Sequence, residues 1–372
     1  QATGMIGPVA VRIGDTVDQH ASRQTTPESL DVQRLLRQMV AAGVETAIIE
    51  ATSHGLDLHR LDHVLFNVGA VTNITHEHLE HHKTITAYRR AKAILFERVA
   101  AAGGTAVINT DDEGAKEMLA YTHGADVLTY AIDAGSRNAN LTASHIASDR
   151  QGSRFEIRLG DQSAHVSLPL IGRFNIANAL CATGICLALN MPLPDIAAHL
   201  GAVPHIPGRM APVNAGQPFL VIVDYAHTPE SLTKVLELLR ALNPTGRIIT
   251  VFGSAGERDT EKRPRQGYAA ATLADIVVVT DEDPRHEDSN QIIGQIAAGA
   301  RHGGARDGES LYEIPDRVTA IHHAIALAKP GDQVLLAGKG HEGSIIVGTE
   351  KRPWDETAVA LTALRSLGWD DR

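Results

Sequence analysis

The chain has 372 residues, 34 of them lysine or arginine and 44 aspartate or glutamate, for a formal net charge of -10. That balance excludes nucleic acid as the main partner, which would need counterion-releasing basic patches. It leaves room for an anionic substrate held by a local group of arginines. A hydrophobic content of 43% is ordinary for a globular protein, and the length predicts two or three domains. No apolar run reaches about 18 residues, so no membrane-spanning helix is expected; no signal peptide is visible, and the expected compartment is the cytoplasm.

In chain order, residues 30–42 have helical periodicity, and 44–49 form a short β-rich run that ends in Glu50. A second β-like run covers 64–74. A helix is predicted over 84–101, with apolar positions at Ala87, Ala91, Ile94, Leu95 and Val99. A strand over 105–108 enters Asn109-Thr110-Asp111-Asp112. This alternation predicts a largely parallel α/β sheet. From 142 to 170 the texture changes to short alternating segments, 154–159 and 164–168, which predict hairpins in a small antiparallel sheet. Helix returns over 175–189 and holds both cysteines, Cys181 and Cys186, expected to be buried thiols.

The turn-rich stretch from Val203 to Arg209 is the linker candidate. Beyond it strand–loop–helix units repeat: strands at 219–223, 247–252, 276–280 and 333–337, helices at 229–242, 266–273 and 291–300. The pattern predicts a doubly wound fold, whose ligands bind past the carboxyl ends of the strands.

Polar residues gather at those ends. The strand at 219–223 delivers Asp224-Tyr225-Ala226-His227-Thr228-Pro229, an acid, a phenol and an imidazole ahead of a helix-starting proline. The strand at 247–252 opens into Gly253-Ser254-Ala255-Gly256-Glu257-Arg258-Asp259, where glycines let backbone amides approach an anion. The strand at 276–280 ends in Asp281-Glu282-Asp283-Pro284-Arg285, a set able to grip a zwitterion, the arginine taking a carboxylate and an acid an ammonium. The last ends in Gly338-Lys339-Gly340-His341-Glu342. Lys339 lacks the spacing of a phosphate loop, and no other stretch supplies one. The run His76-Glu77-His78-Leu79-Glu80-His81-His82 does not meet the His-Glu-x-x-His pattern of zinc hydrolases, since Glu80 stands four after His76. Most of its histidines are expected to be solvated.

Taken in order, the segments 50–60, 72–78, 87–96, 172–178, 208–210, 223–229, 252–264, 283–285 and 337–342 resemble the Mur ligases, ATP-dependent amide ligases that build the peptidoglycan stem peptide. The resemblance is strongest to the branch that adds the third residue to UDP-MurNAc-L-Ala-D-Glu. It implies an α/β chain with a central, mostly parallel-sheet ATPase-like domain that holds ATP and Mg²⁺ and has a small antiparallel subsheet (1–207). A C-terminal doubly wound, Rossmann-like, amino-acid-binding domain follows (208–372). It implies ATP and Mg²⁺ as cofactors, with UDP-MurNAc-dipeptide and a diamino acid as partners. By the same resemblance Glu50, His78 and a carbamylated Lys92 are metal ligands. Lys92, His227 and Asp224 are catalytic, and Asn175, Asn178, Arg209, Asp224 and Tyr225 face the nucleotide. Thr25, Thr26, Ser53 and Arg60 hold the UDP-MurNAc-dipeptide, while Arg258, Asp283, Arg285, Gly338 and Glu342 line the pocket of the incoming amino acid.

The departures from the family pattern carry expectations too. Arg285 matches members that take meso-diaminopimelate, but Asp283 replaces their usual asparagine, a charge expected to favour an amine or weaken carboxylate binding. Diaminopimelate is the expected substrate, with lysine or another diamino acid open. Glu77 replaces the usual aspartate before His78. The family's phosphate loop and UDP-recognising N-terminal domain are missing. A start at Gln1 rather than Met reads as a piece of a longer translated protein. The alternatives are a degenerate relative that binds precursor without turnover, and a related ligase of the cyanophycin or folylpolyglutamate synthetase type.

Overall fold

A computed structural model of the chain describes residues 2–18, 24–75, 79–132, 139–149 and 151–370. The chain divides into two compact units, Gln1–Val203 and Pro204–Arg372.

The first unit opens with strands β1 (Thr3–Ile6), β2 (Val11–Ile13) and β3 (Thr16–Asp18), helix α1 (Ser29–Ala41) and strand β4 (Thr46–Ile49). These strands form a four-stranded sheet in the order β3-β2-β1-β4, with β1 and β4 parallel. Helix α2 (Ser53–Asp57) follows at once, capped by Thr52, whose hydroxyl accepts from the Gly55 amide at 3.0 Å. After β5 (Val68–Val71) come the short α3 (Leu79–His82), the long α4 (Ile85–Ala101), β6 (Thr105–Asn109), α5 (Glu113–Lys116) and β7 (Asp126–Ile132). Three antiparallel strands then follow, β8 (Leu141–Asp149), β9 (Gly152–Leu159) and β10 (Gln162–Leu168), and the unit closes with α6 (Arg173–Ala188) and α7 (Leu193–Gly201).

The predicted antiparallel segment is not a separate sheet. β7 pairs with β8 in parallel, so the hairpins extend the parallel strands into one six-stranded sheet, β10-β9-β8-β7-β6-β5. Alternate residues of β6 enter different cores: Val107 packs with α6 residues such as Ile176 and Leu180, while Ala106 and Ile108 pack with Phe96 of α4. Both faces are therefore covered, as a parallel sheet requires.

The second unit has β11 (Ala211–Pro212), β12 (Leu220–Asp224), α8 (Pro229–Leu242), β13 (Ile248–Phe252), α9 (Lys262–Leu273), β14 (Ile276–Val279), α10 (Ser289–His302), β15 (Leu311–Glu313), α11 (Arg317–Leu327), β16 (Gln333–Ala337), the hairpin β17 (Ser344–Val347) and β18 (Glu350–Pro353), and α12 (Glu356–Ser366). The main sheet runs β11-β12-β16-β13-β14-β15, parallel from β12 to β15. Ile222 and Leu335 face a core shared with α8 and α10, and Val221, Val223, Val334 and Leu336 one shared with α11 and α12. Because the strands are parallel, β12, β13, β14 and β16 deliver their polar sequels to one edge. Thr228 and Ser231 close a capping box at the start of α8. Among the described residues no helix is long and apolar enough to cross a membrane.

Candidate functional site

In the first unit the polar cluster is assembled around Thr26, which is 1% exposed. Its hydroxyl donates to the Glu50 carbonyl at 2.8 Å, meets the Thr52 hydroxyl at 2.8 Å and accepts from the Thr52 amide at 3.1 Å. Thr26 thus locks the turn between β4 and α2, and it works on Glu50 and Ser53 through the backbone. Thr25 beside it is half-buried. The Glu50 side chain is exposed where β4 ends. Ser53 is buried, and its hydroxyl finds no hydrogen-bond partner among the described residues. Such a group is costly unless a ligand completes it. Arg60 donates to the Thr26 carbonyl at 3.1 Å and pairs with Glu28 at 2.9 Å, while its Nε is buried without a partner among the described residues.

Helix α4 packs against α2 and carries Lys92, whose Nζ lies 5.6 Å from the ring centre of buried Tyr88. His78, with His76 and Glu77, lies outside the described residues. Asn175 and Asn178 share a face of α6. Asn175 is buried, and its amide donates to the Ile171 carbonyl at 2.9 Å; Asn178 is exposed and reaches the Asn175 Oδ1 at 3.5 Å.

The second unit gathers more of its predicted residues. Asp224, buried at the end of β12, accepts the Met210 amide on Oδ2 and the Ala226 amide on Oδ1, both at 2.8 Å. Burial pushes its pKa up, against the pull of those amides, Arg209 and His227. Both oxygens are engaged, so Asp224 holds the turn on which Tyr225 and His227 stand. His227 Nδ1 lies 2.9 Å from the Tyr225 carbonyl, which can only accept, so Nδ1 carries the hydrogen and Nε2 is the ring's acceptor. The Tyr225 ring lies 4.7 Å from His227, under the Arg209 guanidinium at 5.0 Å, and its hydroxyl meets Glu342 at 3.5 Å. Gly340 has φ +48, and a Cβ there would meet Tyr225 Cβ at 2.8 Å, so only glycine lets this loop close on the ring.

Asp283 departs from expectation. Its Oδ1 accepts from Lys339 Nζ at 2.9 Å and from the Ile346 amide at 2.9 Å. Lys339, fully buried, also donates to Glu342 at 2.6 Å. The additional charge that the sequence offered to a substrate amine is the counter-ion of an internal lysine. Arg285 sits at φ +55, bridged to Val347, and its Nε is buried without a partner among the described residues. Gly338, at φ +98, donates its amide to the Asp224 carbonyl at 3.2 Å, and Arg258 stands exposed on the turn after β13.

The sequence placed Glu282 in the acidic set after β14 without singling it out. Glu282 is buried, its pKa raised by burial, and its Oε2 has no partner among the described residues. One further residue escaped the sequence reading. Ser254, at the end of β13, is 1% exposed with an equally unpartnered hydroxyl. Nothing in its glycine-rich context set it apart.

Comparison with known proteins gives the chain's family. Residues 1–186 match the Mur ligase middle domain, and residues 208–340 match the Mur ligase, glutamate ligase domain. The chain is 47% identical, over 99% of its length and 74% of the relative's, to a UDP-N-acetylmuramyl-tripeptide synthetase of Roseiflexus sp. (strain RS-1). It is 37% identical, over 98% of its length and 73% of the relative's, to the UDP-N-acetylmuramoyl-L-alanyl-D-glutamate--2,6-diaminopimelate ligase of Bacillus licheniformis. A solved structure of a ligase bearing that second name superposes with a TM-score of 0.69 at 29% identity, covering 99% of this chain and 73% of the other. Both domain matches and both relatives name the same family, and the chain belongs to the Mur ligase family.

Proposed function

We propose that this chain belongs to a protein that carries out the ATP-dependent addition of a diamino acid, in the first instance meso-diaminopimelate, to UDP-MurNAc-L-Ala-D-Glu, in the cytoplasm where ATP and the precursor are found. The γ-phosphoryl group of ATP passes to the glutamate side-chain carboxylate, giving an acyl phosphate and ADP. The amine then attacks the acyl carbon, phosphate leaves, and the attacking nitrogen gives up its proton. Activation is needed because a carboxylate is a poor electrophile.

The observation that carries this reading is the turn after β14, where a buried carboxyl, Glu282, and a buried guanidinium nitrogen, Arg285 Nε, both lack partners among the described residues. An ammonium and a carboxylate on one small molecule would satisfy the two together. Glu342 and Gly338 border the same strand ends, and Arg258 would complete the pocket. In the first unit, Ser53 and Arg60 present an unpartnered hydroxyl and an unpartnered Nε suited to an anionic acceptor, with Thr25 and Thr26 behind them. Asn178 would meet the adenine, oriented by Asn175, and Arg209 and Tyr225 would face the nucleotide on a turn held by Asp224. His227 Nε2, the ring's acceptor, would take the proton lost by the amine.

The donor set fits Mg²⁺. Glu50 is an exposed carboxylate, and Lys92, as a carbamate, would add a second anionic oxygen of the kind a hard cation prefers. His78 would be the third ligand. Bound there, Mg²⁺ would offset the crowded charge of phosphate and carboxylate.

Phosphate release by the full translated gene product, measured with ATP, Mg²⁺, the UDP-MurNAc-dipeptide and either meso-diaminopimelate or L-lysine, tests the reading. Release that requires both acceptor and amino acid is expected. Acceptor binding without release would instead make the protein a precursor-binding relative.

A further inference from the structure

The histidine run between β5 and α4 contains an arrangement that the proposed ligase chemistry does not use. Asp57, at the end of α2, and His81 and His82, at the end of α3, each offer a ligating atom, and these atoms all lie within 4.8 Å of one another. His81 Nε2 is 2.9 Å from Asp57 Oδ2. His82 is buried, at 7% exposure, whereas the side chains of His81 and Asp57 are 30% and 45% exposed, so the cluster has a closed floor and an open mouth.

Two features set the cluster apart from a surface ion pair. Consecutive residues on a helix do not face each other, yet the His81 and His82 rings meet edge to face with centroids 4.6 Å apart. A third imidazole, His54, lies 4.3 Å from the His81 ring and 5.5 Å from the His82 ring. A single His–Asp pair needs neither the second ring nor the third. In a tetrahedral zinc site, bonds of about 2.0–2.2 Å put neighbouring ligand atoms roughly 3.4 Å apart. The present spread of up to 4.8 Å closes to that separation through side-chain adjustment.

We infer that Asp57, His81 and His82 form a site for a divalent transition-metal ion of the zinc type, distinct from the Mg²⁺ ligands Glu50, His78 and Lys92. Two imidazoles and one carboxylate, with a position left for water, make a donor set that suits Zn²⁺ and that Mg²⁺, which prefers oxygen, does not. The ion ties α2, which carries Ser53, to the segment leading into α4. Tyr88 is the link to the proposed centre: its ring is 5.5 Å from His82 and 5.6 Å from Lys92 Nζ. Metal at this site therefore fixes the acceptor-side helix relative to the helix of Lys92.

The test is direct titration of the 372-residue chain with Zn²⁺ and with Co²⁺ in excess Mg²⁺, following heat, the visible bands of tetrahedral cobalt, and the unfolding temperature. One ion should bind per chain with a dissociation constant at or below about 1 µM, and the Asp57→Asn/His81→Ala double variant should bind at least roughly a hundredfold more weakly. Zn²⁺ should raise the unfolding temperature of the wild-type chain but not of the variant. Without metal the two should unfold alike, because both substituted side chains are partly exposed. Three results would each overturn the site: no saturable uptake by about 100 µM ion, equal uptake by the double variant, or displacement by Mg²⁺.

Discussion

The two units support their candidate sites by different means. In the second, the strand ends are braced from behind by buried ions: Arg317 and Glu356, 1% and 0% exposed, pair at 2.7 Å, and Lys339 is shared between Asp283 and Glu342. Arg317 also donates to the carbonyls of Asp281, just past β14, and Ala337, the last residue of β16. In the first unit Glu50 is exposed, and the Ser53 hydroxyl and Arg60 Nε lack partners among the described residues. Both sites leave buried groups for a ligand, Glu282 and Arg285 in the second and Ser53 and Arg60 in the first, but the second is also braced from behind by buried ion pairs. Substitution of the bracing pairs should therefore damage folding, and substitution of the groups left open should damage chemistry.

The largest effect is expected at Lys92. Lys92→Ala should leave thermal unfolding nearly unchanged yet lower turnover by at least about 10⁴-fold, roughly 5.5 kcal/mol of barrier. Small carboxylates should restore part of the rate by refilling the ligand position. Wild-type rates would remove Lys92 from the metal site and, with it, the contrast between the units.

Arg317→Met should show the reverse. It strands Glu356 without its guanidinium, leaving only the Trp354 indole donor at 2.6 Å. Breaking a buried pair from one side costs about 3–5 kcal/mol, to be read from denaturant unfolding of the chain. A loss below about 1 kcal/mol would mean that the pair does not brace the strand ends.

Arg285→Ala is smaller and specific. Loss of a charge-assisted contact of about 1.5–3 kcal/mol should raise the KM for meso-diaminopimelate by one to two orders of magnitude. The KM for the UDP-MurNAc-dipeptide should hold. If both rise together, Arg285 supports the fold rather than the pocket.

What was legible in the sequence, and what was not, follows from the range of each interaction. The helix at 229–242 and the strand at 333–337 are found where periodicity put them, because local pattern and burial agree there. Helix α7 is not among the predicted elements; Pro192 and Pro194 flank its start, and proline suits a helix's first turn. Strands β1 to β3 are only three or four residues long, too short for a pattern, and β1 pairs with β4 some forty residues later. Of the site, residue types at strand ends were readable, but their pairing was not. Nothing local ties Asp283 to Lys339, and without that contact Asp283 looks like a residue waiting for substrate.

Asp283→Asn separates these two views at the smallest expected cost. An asparagine Oδ1 can still accept from Lys339 and from the Ile346 amide, as the aspartate does at 2.9 Å in each case. Lys339 would keep Glu342 at 2.6 Å and the field of Glu282, so it would not be stranded. The stability loss should therefore be about 1 kcal/mol or less. If the Asp283 charge is consumed by Lys339, the ratio of kcat/KM for meso-diaminopimelate to that for L-lysine should move by less than about threefold, under roughly 0.7 kcal/mol. A shift of about tenfold or more toward diaminopimelate would mean that the substrate does feel this carboxylate. The Asp283 charge would then join Glu282 and Arg285 among the groups that the incoming amino acid completes.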